Sequence, residues 1–193
     1  MNNTYNYRAG GRKAQNNGQN FEELIDRALI RYRALKWAYI EKTPEPMRPL
    51  HSPNARGQFL ACYTKQAQPD YKGTMKGGYS IVFEAKHTEG NAIQQNRVSE
   101  QQAAALDQHY ALGAYCFVLV SFRFEKCYLI PWAVWKDMPR RFGKVSANEN
   151  DLLPYSVFNI SQFLDGVIKS IEVIEELEKR EMAAVRNGEC PLH

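Results

Sequence analysis

The stretch from Ala114 to Phe122 constrains the possible folds more than any other part of this sequence. Its residues are almost all apolar, and several are β-branched or aromatic, which favours a strand. A strand with no polar face has to be covered on both sides, as happens at the centre of a sheet packed between helices. The stretch therefore predicts a layered α/β domain.

Helical patterns lie on both sides of this strand. Apolar residues recur at spacings of three and four after Asn20, which predicts a helix with Asn20 as its N-cap. Ser99 to Leu112 predicts a second helix, with Gln102 in the capping-box position and Gly113 as the stop. A third is predicted from Ser161 to roughly Arg186. Further strands are predicted at Trp37 to Ile40, Phe59 to Tyr63, Tyr79 to Ala85 and Lys126 to Pro131. The order of elements predicts a mixed central β-sheet flanked by helices.

Length and composition indicate one domain, at residues 18–186, followed by a tail at 187–193. A chain of 193 residues can bury a single substantial core. No apolar run approaches the roughly 18 residues that span a bilayer, and the polar start lacks the apolar centre of a secretory signal. We therefore expect a soluble cytoplasmic protein. The four cysteines are scattered, which favours buried free thiols over disulfides or a zinc site.

Residues 1–17 carry basic side chains, among them Arg12 and Lys13, but no acidic ones. This composition predicts a flexible basic arm that can lie along a phosphate backbone, although a disordered tail with no role fits it as well. The net charge of +4 does not by itself identify a nucleic-acid-binding protein.

A second irregular segment lies between Thr43 and Gln68. Four prolines fall between Thr43 and Arg56, which excludes a helix interior and a central strand there. The segment is therefore expected to project from the domain or to run over its surface as a loop.

Asp70, Glu84 and Lys86 form the strongest candidate site. Glu84 and Lys86 are two residues apart on a predicted strand, so they project from the same face. Asp70 precedes a glycine-rich turn and can begin the preceding strand of a hairpin, where its carboxylate meets that of Glu84. Carboxylates suit Mg²⁺, which assists phosphodiester hydrolysis, and Lys86 is the cation that can orient or deprotonate the attacking water or neutralise charge. The three residues predict a magnesium-dependent nuclease.

A Glu-x-Lys pair also occurs by chance as a simple charge pair on an exposed strand. Two features argue for a function here: the Pro69-Asp70 pair at this distance, and the apolar run Ile81-Val82-Phe83 directly before the charged residues.

These residues resemble the Pro-Asp…Glu-x-Lys motif of the restriction-endonuclease-like nuclease superfamily. The surrounding sequence resembles the RecU-type Holliday junction resolvases, from about Asn17 to Asp137. The matching segments are Asn17-Gly18-Gln19-Asn20-Phe21-Glu22, Asp70-Tyr71-Lys72-Gly73, Phe83-Glu84-Ala85-Lys86, Gln102 and Cys116-Phe117-Val118. Pro69 departs from the RecU-type pattern, which has a hydroxyl residue there.

The resemblance implies a restriction-endonuclease-like core with an inserted projecting stalk. It also implies a homodimer that cuts four-way DNA junctions symmetrically with Mg²⁺, for which Mn²⁺ substitutes. The segment 43–68 stands where the stalk is, although an ordinary long surface loop fits its composition too. Recombination proteins are possible further partners, and no membrane is involved.

The resemblance also assigns roles to single residues. Asp70 and Glu84 match the metal-binding acids, and Lys86 matches the catalytic lysine. Glu22 matches a helix carboxylate that completes such sites, but it can equally be a solvated acid on the helix face. Gln102 matches a glutamine near the active centre, and its alternative role is helix capping alone.

Several basic residues are candidates for contacts with phosphates. They are Arg12, Lys13, Arg48, Arg56, Lys65, Lys72 and Lys76, of which Lys72 and Lys76 are expected beside the active site. Two other functions are left open: a nuclease with the same motif that acts on other DNA substrates, and a non-catalytic protein that binds DNA junctions. The predicted C-terminal helix is rich in glutamate, which repels phosphate, so we expect it to lie away from DNA.

Overall fold

A six-stranded mixed sheet organises the structure. The computed structural model describes residues 4–44, 47–63 and 68–172, with side chains from residue 16 onward except at residue 63. The helices are α1 (Thr4–Ala34), α2 (Glu100–Ala111), α3 (Trp132–Lys136), α4 (Met138–Phe142) and α5, described over residues 165–172. The strands are β1 (Ala38–Lys42), β2 (Met47–Pro49), β3 (Ala61–Tyr63), β4 (Tyr71–Met75), β5 (Ser80–Thr88), β6 (Ala92–Gln94), β7 (Tyr115–Phe122), β8 (Lys126–Pro131), β9 (Ser146–Asn148) and β10 (Ser156–Val157).

The main sheet has the strand order β1-β4-β5-β7-β8-β10. β5 and β7 are parallel, paired from Ile81 with Tyr115 to Thr88 with Phe122, and the other neighbours are antiparallel. All of β7 after its first residue is buried, because both neighbouring strands and both layers of helices cover it. The predicted α/β class, with a mixed sheet between helices, is confirmed.

Side chains from the two faces of the sheet enter two separate cores. Phe83 and Leu119 pack with residues of α1 and α5, including Phe21 and Ile168. Val118, on the opposite face, packs with residues of the α2, α3 and α4 region. Alternation along β5 therefore decides which layer each of its side chains meets.

The first helix begins well before the predicted N-cap. α1 starts at Thr4, so Asn20 lies inside it and the prediction of an N-cap there is wrong. The described part of the predicted arm is thus helical backbone, whereas its flexibility and its contacts with DNA stay predictions.

The other helix boundaries are closer to expectation. Ser99 and Gln102 form the predicted capping box of α2, and Gly113 follows the helix with a φ of 86°. The third predicted helix starts at residue 165, after a 3₁₀ turn at Ile160–Gln162, and its continuation beyond residue 172 lies outside the described residues.

The segment 43–68 contains a hairpin that is separate from the main sheet. β2 and β3 pair antiparallel, with Met47 opposite Tyr63, and the side chain of Asn54 accepts hydrogen bonds from the backbone of Arg56 and Gln58 at the tip. The described side chains between residues 47 and 60 are exposed. A paired, exposed hairpin agrees with a projecting element, and its role as a stalk stays a prediction.

Gly73 lies inside β4, before the glycine-rich turn that leads to β5. A Cβ atom at this position would collide with the backbone oxygen of Tyr39 on β1. Glycine is needed here because the two strands approach closely. Gly77 and Gly78 do form the β4–β5 turn, both with φ near 90° (87° and 88°).

Cys62, Cys116 and Cys127 are free thiols, as predicted, and the latter two are buried; Cys190 lies outside the described residues. None of the helices in the described ranges is long and apolar enough to cross a membrane.

Candidate active site

The β4–β5 hairpin brings the two acidic residues of the motif together. Tyr71 pairs with Phe83 at the end of β4, and one further step of this register places Asp70 opposite Glu84. Asp70 Oδ2 accepts a hydrogen bond of 2.9 Å from the backbone N–H of Ala85. The carboxylate of Asp70 is therefore anchored to the backbone of β5, between the two charged residues of the Glu-x-Lys pair.

Glu84 is the most unusual residue of the site, because its carboxylate is fully buried (0% exposed). Its Oε2 atom accepts hydrogen bonds from Lys86 Nζ at 2.9 Å and from Gln102 Nε2 at 2.6 Å. Its Oε1 atom is also buried but has no hydrogen-bond partner within the described residues. Burial, and then the negative charge of Asp70, raise the pKa of Glu84 to about 8, while Lys86 opposes the shift.

Lys86 lies on the same face of β5 as Glu84, as the strand alternation predicts. Its Nζ atom is 3.9 Å from Asp70 Oδ2 and its side chain is 14% exposed. One ammonium group thus lies near two carboxylates on a side chain that is partly exposed, so Lys86 can contact a molecule that approaches the site.

Gln102 combines the two roles that the sequence left as alternatives. Its Oε1 accepts the backbone N–H of Ser99, and its Nε2 donates to Glu84. The capping box holds the side chain of Gln102 at the start of α2. From there the amide of Gln102 fixes the side-chain conformation of Glu84 on β5.

Glu22 lies on α1 and does not contact Asp70 or Glu84 directly in the described structure. Its Oε2 is 2.6 Å from Lys42 Nζ at the end of β1. The pKa of Lys42 is raised chiefly by this hydrogen bond, and also by the negative charges of Asp26 and Asp70. Lys42 therefore links the helix carboxylate electrostatically to the motif.

The arrangement fits a hard divalent cation. Asp70 and Glu84 offer carboxylate oxygens, and the buried Oε1 of Glu84 has no partner in the described structure that a cation would displace. No cluster of three or more His, Cys, Asp or Glu side chains suited to a metal occurs in the described part of the chain. A site with two carboxylates, completed by water and phosphate, is typical of Mg²⁺ and not of structural zinc.

The candidate DNA-binding residues are spread over the molecule. Arg48 and Arg56 are exposed on the β2–β3 hairpin, and Lys72 is exposed on β4, where its Nζ donates to Gln68 at 3.2 Å. Lys76 does not lie beside the active site, contrary to our expectation. It follows the far end of β4, where its backbone N–H donates to Trp37, about 20 Å along the strand from Asp70. The side chains of Arg12, Lys13 and Lys65 lie outside the described residues.

Sequence reasoning missed two cations near the motif, Lys42 and Arg97. The guanidinium of Arg97 donates a hydrogen bond of 3.3 Å to the backbone oxygen of His87, directly after Lys86. Lys42 ends β1 opposite Tyr71. Neither has a motif around it, and only the pairing of strands and the path of the chain after β6 reveal their positions.

Comparison with known proteins identifies the family of this chain. The family described as "Recombination protein U" (RecU) matches residues 16–176. Proteins named Holliday junction resolvase RecU from Streptococcus pneumoniae (strain Hungary19A-6) and Streptococcus oralis are each 32% identical over 122 residues, which cover 60% of this chain and 61% of theirs. The chain thus matches less than two thirds of the length of these relatives.

A solved structure of Archaeoglobus fulgidus Hjc, a Holliday junction resolvase, is similar with a TM-score of 0.46 and 15% identity, over 75% of this chain and 98% of that one. The RecU family match extends from α1 beyond the last described residue and includes every residue of the candidate site. This chain therefore belongs to the RecU family.

Proposed function

We propose that this protein is a structure-selective DNA endonuclease that resolves four-way (Holliday) junctions by magnesium-dependent, symmetric phosphodiester hydrolysis. The observation that carries the proposal is the fully buried carboxylate of Glu84, whose Oε1 lacks a partner in the described structure, next to Asp70 and Lys86. Burying an unpaired carboxylate oxygen is costly, so a role outside folding explains its presence best.

Asp70 and Glu84 are the residues that would hold the metal. When bound, Mg²⁺ supplies positive charge that stabilises the phosphorane-like transition state and makes water more acidic. Gln102 and Lys86 hold Glu84 Oε2, which leaves Oε1 as the free ligand atom. Lys86, with its partly exposed side chain, donates to the attacking water or to a phosphate oxygen. Glu22 lies farther out and acts through Lys42 and the surrounding water.

Junction selectivity rests on the relatives, which are named Holliday junction resolvases. A cytoplasmic, nucleoid-associated location is proposed with it, because that is where a protein acting on DNA junctions would meet its substrate. Symmetric cleavage requires two active centres, so we propose that the protein works as a homodimer. The β2–β3 hairpin, with Arg48 and Arg56 on an exposed ribbon, supports a projecting contact with the branched DNA.

The decisive experiment compares cleavage of a synthetic four-way junction with that of linear duplexes of the same sequences, with and without Mg²⁺. Wild type is expected to introduce paired symmetric nicks in the junction alone. Asp70→Asn should bind the junction but not cut it. Glu23→Gln, which alters a highly exposed neighbour of Glu22 on the same helix, is the matched control and should cut like wild type.

Two outcomes would replace the proposal. Equal cutting of junction and duplex would mean a nuclease of the same chemistry with another substrate. Binding without any cutting would mean a DNA-binding protein that does not hydrolyse DNA. Joining Pro44 to Gln68 directly tests the hairpin, since the shortened protein should lose the preference for the junction over the duplex, both in binding and in cleavage.

A further inference from the structure

β5 extends beyond its pairing with β4, and this unpaired edge is the part of the site that the motif does not explain. β4 pairs with β5 only as far as Phe83, whereas β5 continues to Thr88. The last residues of β5 therefore have β7 on one side and, in the described structure, no strand on the other. This edge starts at Asp70, so a DNA strand that reaches the acidic residues also passes it.

Backbone directions show which groups point to this open edge. The N–H of Ala85 points to Asp70, on the β4 side, while the C=O of Thr88 points to the β7 side, where it accepts from the N–H of Arg123. Because backbone groups alternate along a strand, the C=O of His87 points to the same side as Ala85. The open edge therefore carries Asp70 at one position and the carbonyl of His87 about 7 Å farther along.

Arg97 places a positive charge on this edge. Its side chain is exposed, and its guanidinium donates to the carbonyl of His87. A carbonyl oxygen orients the guanidinium but does not neutralise it. Lys42 and Lys86, by contrast, pair with carboxylates. Within the described residues Arg97 has no such ion pair, and this bond uses one of its five N–H donors.

We propose that Arg97 binds a phosphate group next to the scissile one and so fixes the register of the DNA strand on the open edge of β5. The inference rests on the proposed nuclease function. An arginine suits this task because its planar donors can grip two phosphate oxygens at once. The fixed contact with His87 reduces the side-chain freedom that is lost on binding.

The test measures junction affinity in EDTA, where DNA is bound but not cut, over a range of salt concentrations. One phosphate contact contributes about 0.9 to the slope of log affinity against log salt concentration, so Arg97→Gln should flatten the slope by that amount per protomer and weaken binding about 10-fold. Arg97→Lys should keep the slope. Lys169→Gln removes an equal charge from an exposed position on α5 and should behave like wild type.

A second measurement identifies the phosphate. Junctions with a neutral methylphosphonate at each position around the cut are bound to wild type and to Arg97→Gln. A methylphosphonate at one position next to the scissile phosphate should weaken junction binding by wild type but not by Arg97→Gln. The reason is that the methylphosphonate and the mutation remove the same contact.

Three results would overturn the inference. An unchanged salt slope in Arg97→Gln, or an equal flattening in Lys169→Gln, would mean that Arg97 does not contact a specific phosphate. The same conclusion would follow if the losses of affinity caused by Arg97→Gln and by the methylphosphonate were additive at every position. If wild type neither bound nor cut junctions, the proposed function itself would fail, and Arg97 would lose its role with it.

Discussion

Replacing Glu84 by glutamine should stabilise the metal-free protein at neutral pH. The carboxylate of Glu84 is fully buried and its Oε1 has no partner in the described structure. An amide at this position keeps the oxygen that accepts from Lys86 and Gln102, and it places an NH₂ group where the unpartnered Oε1 now lies. The substitution removes the cost of burying a charge and retains the shape of the side chain.

The magnitude follows from the pKa. Burial raises the pKa of Glu84 from its ordinary value of 4.5 to about 8. A raised pKa in the folded state means that the folded protein binds the proton more tightly than the unfolded chain. The resulting stabilisation is complete below pH 4.5 and is lost as the pH rises through 8. At pH 7 the wild type should have lost about 3 kcal/mol of its free energy of unfolding, at 1.36 kcal/mol per pH unit.

Urea denaturation in EDTA at pH 4.5, 7 and 8.5 checks this prediction. The free energy of unfolding of Glu84→Gln should be about 3 kcal/mol higher than that of wild type at pH 7, which is equivalent to about 6–12 °C in melting temperature. At pH 4.5 the two proteins should be about equally stable. Glu23→Gln should differ from wild type by less than about 0.5 kcal/mol at every pH, because Glu23 is highly exposed. Added Mg²⁺ should reverse the order, since it stabilises only a protein that binds it.

A wild type as stable as Glu84→Gln at pH 7 in EDTA would refute the reasoning. It would mean that Glu84 is ionised and satisfied without metal, and the argument for a metal ligand from its unpartnered oxygen would fail.

Three further substitutions test other parts of the structure. Gly73→Ala should lower the free energy of unfolding by about 1–3 kcal/mol in urea titrations, because the added methyl group overlaps the backbone of Tyr39. Gln102→Glu should keep the cap of α2 but replace the amide that donates to Glu84 by a like charge. It should therefore lower the melting temperature at neutral pH and slow junction cleavage more than about 10-fold. Tyr32→Phe should cost about 1–3 kcal/mol in urea titrations, because its hydroxyl bonds both Asp165 and the buried backbone N–H of Leu164.

Two of these variants have a matched comparison. Gly18→Ala, inside α1 with open space around it, should leave stability equal or raise it by up to about 1 kcal/mol. Gln102→Ala loses the bond to Glu84 and one of the two hydrogen bonds of the capping box but adds no charge, so it should lower both stability and cleavage. Unchanged stability at neutral pH in Gln102→Glu, or full activity in it, would contradict the role of Gln102 as the donor to Glu84. A stable Tyr32→Phe would mean that the α1–α5 contact does not depend on this hydroxyl.

The local parts of the structure could be predicted from sequence because their causes are local. Strand alternation placed Glu84 and Lys86 on one face, and the capping box at Ser99 and Gln102 formed as its sequence indicates. The N-terminal boundary was wrong because asparagines before Phe21 look like caps, whereas the helix continues through them. A weak preference for capping was overridden by propagation of a long helix.

Contacts between residues on different elements could not be predicted from local sequence patterns. Lys76 is close to Asp70 in sequence but follows the far end of an extended strand, so sequence proximity gave the wrong position. Gln102 and Arg97 reach β5 only because the chain crosses over the sheet through β6 and α2 to make β7 parallel to β5. A crossover of this kind brings residues together that no periodicity connects.

The unequal lengths of β4 and β5 explain why the site lies where it does. A strand that carries reactive groups has to be held rigidly, and β5 is paired with β7 from Ile81 to Thr88, which is nearly its whole length. It must also leave an edge accessible to a polymer as bulky as DNA, and β4 ends where Asp70 meets Glu84. An open edge normally invites pairing with other chains, and charged side chains discourage this. Asp70, Lys86 and Arg97 supply such charges, so the groups proposed to act on DNA also protect the edge that they occupy.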